Sequence, residues 1–221
     1  MGLLILYLDT ILVPLSLFLT IGYHAYLWGN FRRKPAITTV GLQTLRRRSW
    51  LHANYQGDDK KGMLAVQSLR NTLMGSILTA TITILLTVSM AALMNNAYKG
   101  IHVLSGSSLF GSQSGGIAVV KYGAASMFLV GSFVFSSMAV SCLIDANYVI
   151  NTPPEKFSAA YIETVFERGF ILAVVGNRLL CVAFPLILWM FGPLPVLVVS
   201  IVMVWVLYGL DFVIAFNFQI K

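Results

Sequence analysis

The chain has 221 residues, of which 57% are hydrophobic and 10% charged, against roughly 25% charged in an ordinary soluble domain. That composition excludes a conventional water-soluble globule. Fifteen Lys and Arg against eight Asp and Glu give a net charge of +7; in a membrane protein this reports topology and contact with anionic lipid, and nucleic-acid binding is not expected.

In chain order, residues 10–31, 71–98, 122–144 and 179–210 contain no Asp, Glu, Lys or Arg. A bilayer-crossing helix needs about 20 apolar residues. The last stretch belongs to an apolar block, 169–216, which as one helix would reach about 70 Å across a hydrocarbon layer of about 30 Å. It must turn back, and Gly192-Pro193-Leu194-Pro195 marks the turn. The chain therefore reads as one membrane domain, 1–221, an all-α polytopic helix bundle with five spans at about 5–28, 70–95, 120–145, 169–191 and 195–216. Pro14 and Pro185 are expected to kink the first and fourth. With no basic segment before it, the first apolar run reads as an uncleaved span, not a signal peptide.

Arg32, Arg33, Lys34, Arg46, Arg47, Arg48, Lys60, Lys61 and Arg70 put nine of the fifteen basic residues between the first and second spans. By the positive-inside rule the basic loop 29–69 is cytoplasmic, as are 146–168 and the C-terminus; the N-terminus and a flexible loop 96–119 lie outside. Arg32, Arg33, Lys34, Arg46, Arg47 and Arg48 are expected to contact anionic lipid, with Tyr23, Tyr26, Trp28 and Trp50 as an aromatic belt. Asp58 or Asp59 is expected to cap a helix entering the second span, and Thr152-Pro153-Pro154-Glu155 to form a capping box.

Ionisable residues within spans are expensive and mark candidate sites. Arg178 lies 15 residues before Pro193 and Asp211 lies 18 after it, so on antiparallel helices they fall within about 4 Å of the same depth. A polar cluster of Arg70, Asn71, Asp145, Asn177, Arg178 and Asp211 could line a vestibule, or the Arg178–Asp211 pair could simply fix the hairpin. Asp9 is expected near the outer interface, solvated. Gly75, Thr79, Thr83, Thr87 and Ala91 recur every four residues, and Ser137, Ser141 and Asp145 do the same beside Gly131. Such rows pack helices closely, or their hydroxyls line an ion path with Thr79 and Thr83 on it.

No His, Cys and Asp set has metal-ligand spacing and no nucleophile or phosphate-loop motif occurs, so neither an enzyme nor a cofactor or metal is expected. Cys142 and Cys181 read as buried small hydrophobes.

Four groups of strings carry a resemblance: 22–28 (GYHAYLW), 58–61 with 64–72 (DDKK, LAVQSLRNT), 176–179 (GNRL), and 191–193 with 207–212 (FGP, LYGLDF). Together they resemble the plant multi-pass membrane proteins of domain-of-unknown-function family five-nine-nine. The resemblance covers nearly the whole chain and implies a plant integral membrane protein of the plasma membrane; it implies no activity. Its strings include Arg70, Asn71, Asn177, Arg178 and Asp211.

Two functions follow as expectations. One is a homo-oligomeric ion channel or transporter-like protein, anion-conducting if Arg178 sets its preference. The other is a non-catalytic scaffold or accessory subunit whose basic loop grips lipid or a partner protein. A channel should turn hydrophilic span faces toward a symmetry axis, whereas a scaffold should bury them within each subunit.

Overall fold

A computed structural model describes residues 2–55, 59–100, 115–150, 152 and 158–212. Among the described residues six α-helices run in order: α1 (Gly2–Arg33), α2 (Thr39–Tyr55), α3 (Asp59–Gly100), α4 (Gly115–Ile150), α5 (Ala159–Leu188) and α6 (Pro193–Asp211). All but α2 are long and apolar enough to cross a membrane, over Asp9–Arg33, Val66–Asn95, Gly116–Ile150, Ala160–Phe191 and Pro193–Asp211. The five predicted spans are thus present, and most run longer than their apolar stretches because the helices continue into the polar ends. The predicted end of the fifth, 213–216, lies outside the described residues, as do Asp58 and the loop residues 101–114.

Three local features differ from expectation. The basic segment 29–69 is not simply a loop: a 3₁₀ turn at Pro35–Ile37 leads into the 17-residue α2. That turn is tight enough that a Cβ on Gly41 would lie 2.1 Å from the Pro35 carbonyl oxygen. Second, Ser158 caps α5 by accepting from the Tyr161 amide, while Thr152 donates its amide to Val149 O and its hydroxyl to Tyr148 O at the end of α4; Pro153, Pro154 and Glu155 of the expected capping box lie outside the described residues. Third, α6 ends at Asp211, and Phe212 turns extended to pair with Thr38 across an isolated bridge. The predicted hairpin turn does stand at Gly192, whose φ of 131° only glycine adopts readily, with Pro193 starting α6.

The centre of the bundle is the α4–α5 crossing. Ala125, Leu129, Ser132, Ser136, Ala139, Leu143 and Ala146 are buried at alternating three- and four-residue steps on α4. Against them α5 presents Gly169, Gly176 and Ala183, seven residues apart. Ser132 Oγ donates to Gly176 O at 2.6 Å, so the two backbones nearly touch. The close approach falls at Gly176, and the buried hydroxyls are Ser132 and Ser136. The expected row of Ser137, Ser141 and Asp145 is rotated off the contact by one position, about 100°. Helix α3 packs mainly on α4 through Leu69, Ser76, Thr83 and Met90, and α1 packs on α6.

Candidate functional site

Three helices meet at the carboxylate of Asp211, which is 2% exposed. Arg178 reaches it from α5 with a bidentate fork: Nη1 donates to Oδ2 at 2.7 Å and Nη2 donates to Oδ1. Tyr23, on α1, donates its hydroxyl to Oδ2 at 2.6 Å. An acid at the C-terminus of a helix opposes the helix dipole, and the guanidinium offsets that repulsion as well as the burial. The Arg178–Asp211 pairing read from the hairpin register is therefore present, with Tyr23 as an unforeseen third member. Tyr23, expected in an aromatic belt, has its ring buried with Leu27, Leu207 and Phe212. Asp211 is the last residue of α6 and of the fifth apolar span.

The wider cluster is not assembled. Arg70, Asn71, Asp145 and Asn177 are all exposed, spread over α3, α4 and α5. Thr83 is buried against the bundle and Thr79 half-buried. Each hydroxyl bonds its own helix, Thr79 to Gly75 O at 3.1 Å and Thr83 to Ala80 O at 2.7 Å. Only Thr83 of the row is buried against the bundle, Gly75 and Ala91 being exposed, and the threonine hydroxyls bond their own helix, as back-bonded Ser and Thr do.

A second polar lock closes the opposite end. Asp9 is not solvated but 5% exposed, and accepts from Trp189 Nε1 at 3.0 Å. Lys121, 4% exposed, lies 5.7 Å from the centre of the Trp189 ring. Helix α1 is thereby pinned at Asp9 and Tyr23, about 21 Å apart along its axis. Replacing Asp9 by Ala is expected to cost about 1–3 kcal/mol, because a buried indole N–H loses its acceptor. Thermal melting in detergent measures it.

The basic residues divide by helical register. Val40, Thr44, Arg47, Arg48 and Leu51 form one stripe of α2 and line a groove against α5. Arg48 is held by Glu163 at 3.1 Å and by Glu167, whose Oε2 accepts from Nη2 at 2.8 Å and whose Oε1 accepts from Nε. The bond to Glu167 pushes the Arg48 guanidinium above its ordinary pKa. Arg48, expected on lipid, instead docks α2. Trp50, expected in the belt, stacks on Phe166. Leu51 packs with Val149 and Ile162. Arg47 lies 3.7 Å from the centre of the Phe170 ring, and burial pushes its pKa below the ordinary value. An arginine remains charged regardless. Arg32, Arg33, Lys34 and Arg46 are exposed.

Between α1 and α5 a crevice of about 340 Å³ opens beside this groove, lined by Ile21, Leu27, Trp28, Phe31, Val175 and Val182 among others, with His24 and Arg178 as its polar members. His24 Nδ1 is 2.7 Å from Thr20 O, which makes it the donor; Nε2 is buried with no partner among the described residues. Cys142 and Cys181 are free thiols, each partly buried and not fully so. Among the described residues no three His, Cys, Asp or Glu side chains converge.

Five membrane-length apolar helices, closed by a buried polar lock near each end, define an α-helical integral membrane protein. Within that class, the chain belongs to the family described as "Protein of unknown function, DUF599", whose model matches residues 11–216. No curated protein and no solved structure matches the chain.

Proposed function

We propose that the protein is a non-catalytic membrane scaffold that holds anionic lipid headgroups at its basic, cytoplasmic end. The observation that supports this over conduction by a homo-oligomer is where the hydroxyls lie. Ser16, Thr20, Thr83, Ser132, Ser136 and Ser200 are buried within the single subunit, 0–3% exposed. Large apolar side chains, Phe18, Leu78, Leu85, Val88, Met127 and Trp205 among them, are exposed on the outward faces, which suits lipid. A channel built by association needs the reverse arrangement, with hydrophilic faces left for an axis. At the basic end the Arg48 ion pairs and the Trp50–Phe166 stack hold α2 on α5, and Arg46 of α2 is exposed, as are Arg33 at the end of α1 and Lys34 after it.

The test is the lipid retained through purification from vesicles of equal phosphatidylglycerol and phosphatidylcholine. Wild type is expected to retain an excess of the anionic lipid, and Arg33→Gln, Lys34→Gln, Arg46→Gln combined to lose much of it, each basic group contributing about 1 kcal/mol at an anionic leaflet. Retained lipid matching the bulk ratio in wild type contradicts the proposal.

A further inference from the structure

The crevice between α1 and α5 names a ligand class, an inference that rests on the lipid-binding reading above. Its volume of about 340 Å³ falls among small-molecule pockets of about 300–1,000 Å³. Of its polar members, Arg178 is engaged by Asp211 and His24 Nδ1 by Thr20 O, while His24 Nε2 is buried with no partner among the described residues. The crevice continues into the groove beneath α2, since Trp28, Phe31, Val40 and Val174 line both. Cations frame that junction. Arg32 lies 5.3 Å from the centre of the Trp28 ring and Arg47 lies on Phe170. Glu163 and Glu167 both pair with Arg48, whereas Arg47, seated on the Phe170 ring, has Gln43 Oε1 at 3.4 Å and no carboxylate partner among the described residues; with Arg32, three arginines face two carboxylates at the junction, a net charge of +1. Ile21 and Trp28, at the rim, are 49% and 40% exposed on a face within the apolar span. Bilayer lipid is therefore the molecule beside the opening.

A slot that is apolar along its length and cationic at one end complements an amphiphile with an anionic head. The geometry points to one resident anionic phospholipid, an acyl chain lying in the α1–α5 crevice and its phosphate between Arg32 and Arg47. The lipid then completes the packing between α1 and α5, which touch each other little.

Trp28 reports occupancy directly. Full-length protein with Trp28 as its only tryptophan (Trp50→Phe, Trp189→Phe, Trp205→Phe) is reconstituted in phosphatidylcholine vesicles containing a minor fraction of phosphatidylglycerol. The bromine is carried on the acyl chains of one lipid or the other. Brominated phosphatidylglycerol is expected to quench Trp28 roughly thirtyfold more effectively per mole, the preference two basic groups confer at an anionic surface. Arg47→Gln should lower the preference about fivefold, and Val175→Phe, which fills the crevice, should remove the specific quenching. Equal quenching by both lipids in the parent protein, or a preference that Arg47→Gln leaves unchanged, overturns the site.

Because Trp189 belongs to the Asp9 lock, native mass spectrometry of protein with all four tryptophans is the second measurement. A bound phosphatidylglycerol should persist in Arg46→Gln and be markedly depleted in Arg47→Gln; equal retention overturns the site. If anionic lipid is retained in excess yet Arg47→Gln changes nothing, this site fails while the scaffold reading stands. If no excess is retained at all, both fail.

Discussion

Asp211→Asn is expected to lower the stability of the protein in detergent by about 3–5 kcal/mol, the cost of stranding one partner of a buried ion pair. The loss is large because Arg178 has its fork on both carboxylate oxygens and Tyr23 donates to one of them. With Asn in place, a guanidinium half-buried between α1, α5 and α6 keeps its charge but loses its counter-ion. Arg178→Gln should cost a comparable amount from the other side, leaving the carboxylate buried beside the C-terminus of α6. The double variant Arg178→Gln, Asp211→Asn carries no charge there and can retain an amide–amide bond, so it should recover much of either loss. A double variant no more stable than the singles would refute the direct pair. Thermal melts of the four proteins in one detergent complete the cycle.

Gly176→Ala is the second large effect. A Cβ at that position would sit 2.4 Å from Ser136 Oγ, 3.0 Å from Ser136 N and 3.2 Å from Ser132 O. The hydroxyl can rotate away, but the two backbone atoms cannot. The helices must therefore part, stretching the 2.6 Å bond from Ser132 to Gly176 O. Overpacking of this kind costs about 1–3 kcal/mol. Gly131→Ala is the control: its Cβ would meet only Leu179 Cδ1, at 3.4 Å, an ordinary contact, and its melting temperature should scarcely move. If the two glycines respond alike, the α4–α5 contact is misplaced.

The number of spans and the hairpin at Gly192 were legible because both depend on runs of residues and on backbone chemistry, which are local. The Arg178–Asp211 pairing was legible because a short turn fixes the register of two antiparallel helices. The rest of the polar cluster was not, since depth along a helix says nothing about the direction a side chain points. Arg70 and Asp145 share a membrane depth with the pair but lie on outward faces of α3 and α4. The same ambiguity put the contact row of α4 one residue from its true place. The spacing of Gly169, Gly176 and Ala183 held the missing signal, because seven residues is two turns on one face. In the sequence the basic run of α2 obscures the stripe of Val40, Thr44, Leu51 and the half-buried Arg47 that docks it. The burial of Asp9 depends on Trp189, 180 residues distant, which no local pattern reports.

The central claim is that the Asp9 and Asp211 locks and the buried hydroxyls lie inside one subunit and hold it together, while Arg48 fastens a basic helix over lipid. Ion flux across liposomes containing the purified protein tests it most directly, with Arg178→Ala alongside wild type. The account predicts no flux above that of protein-free vesicles from either protein, with an anion or a cation gradient and with an imposed voltage. A wild-type flux that Arg178→Ala abolishes or changes in ion preference would contradict it.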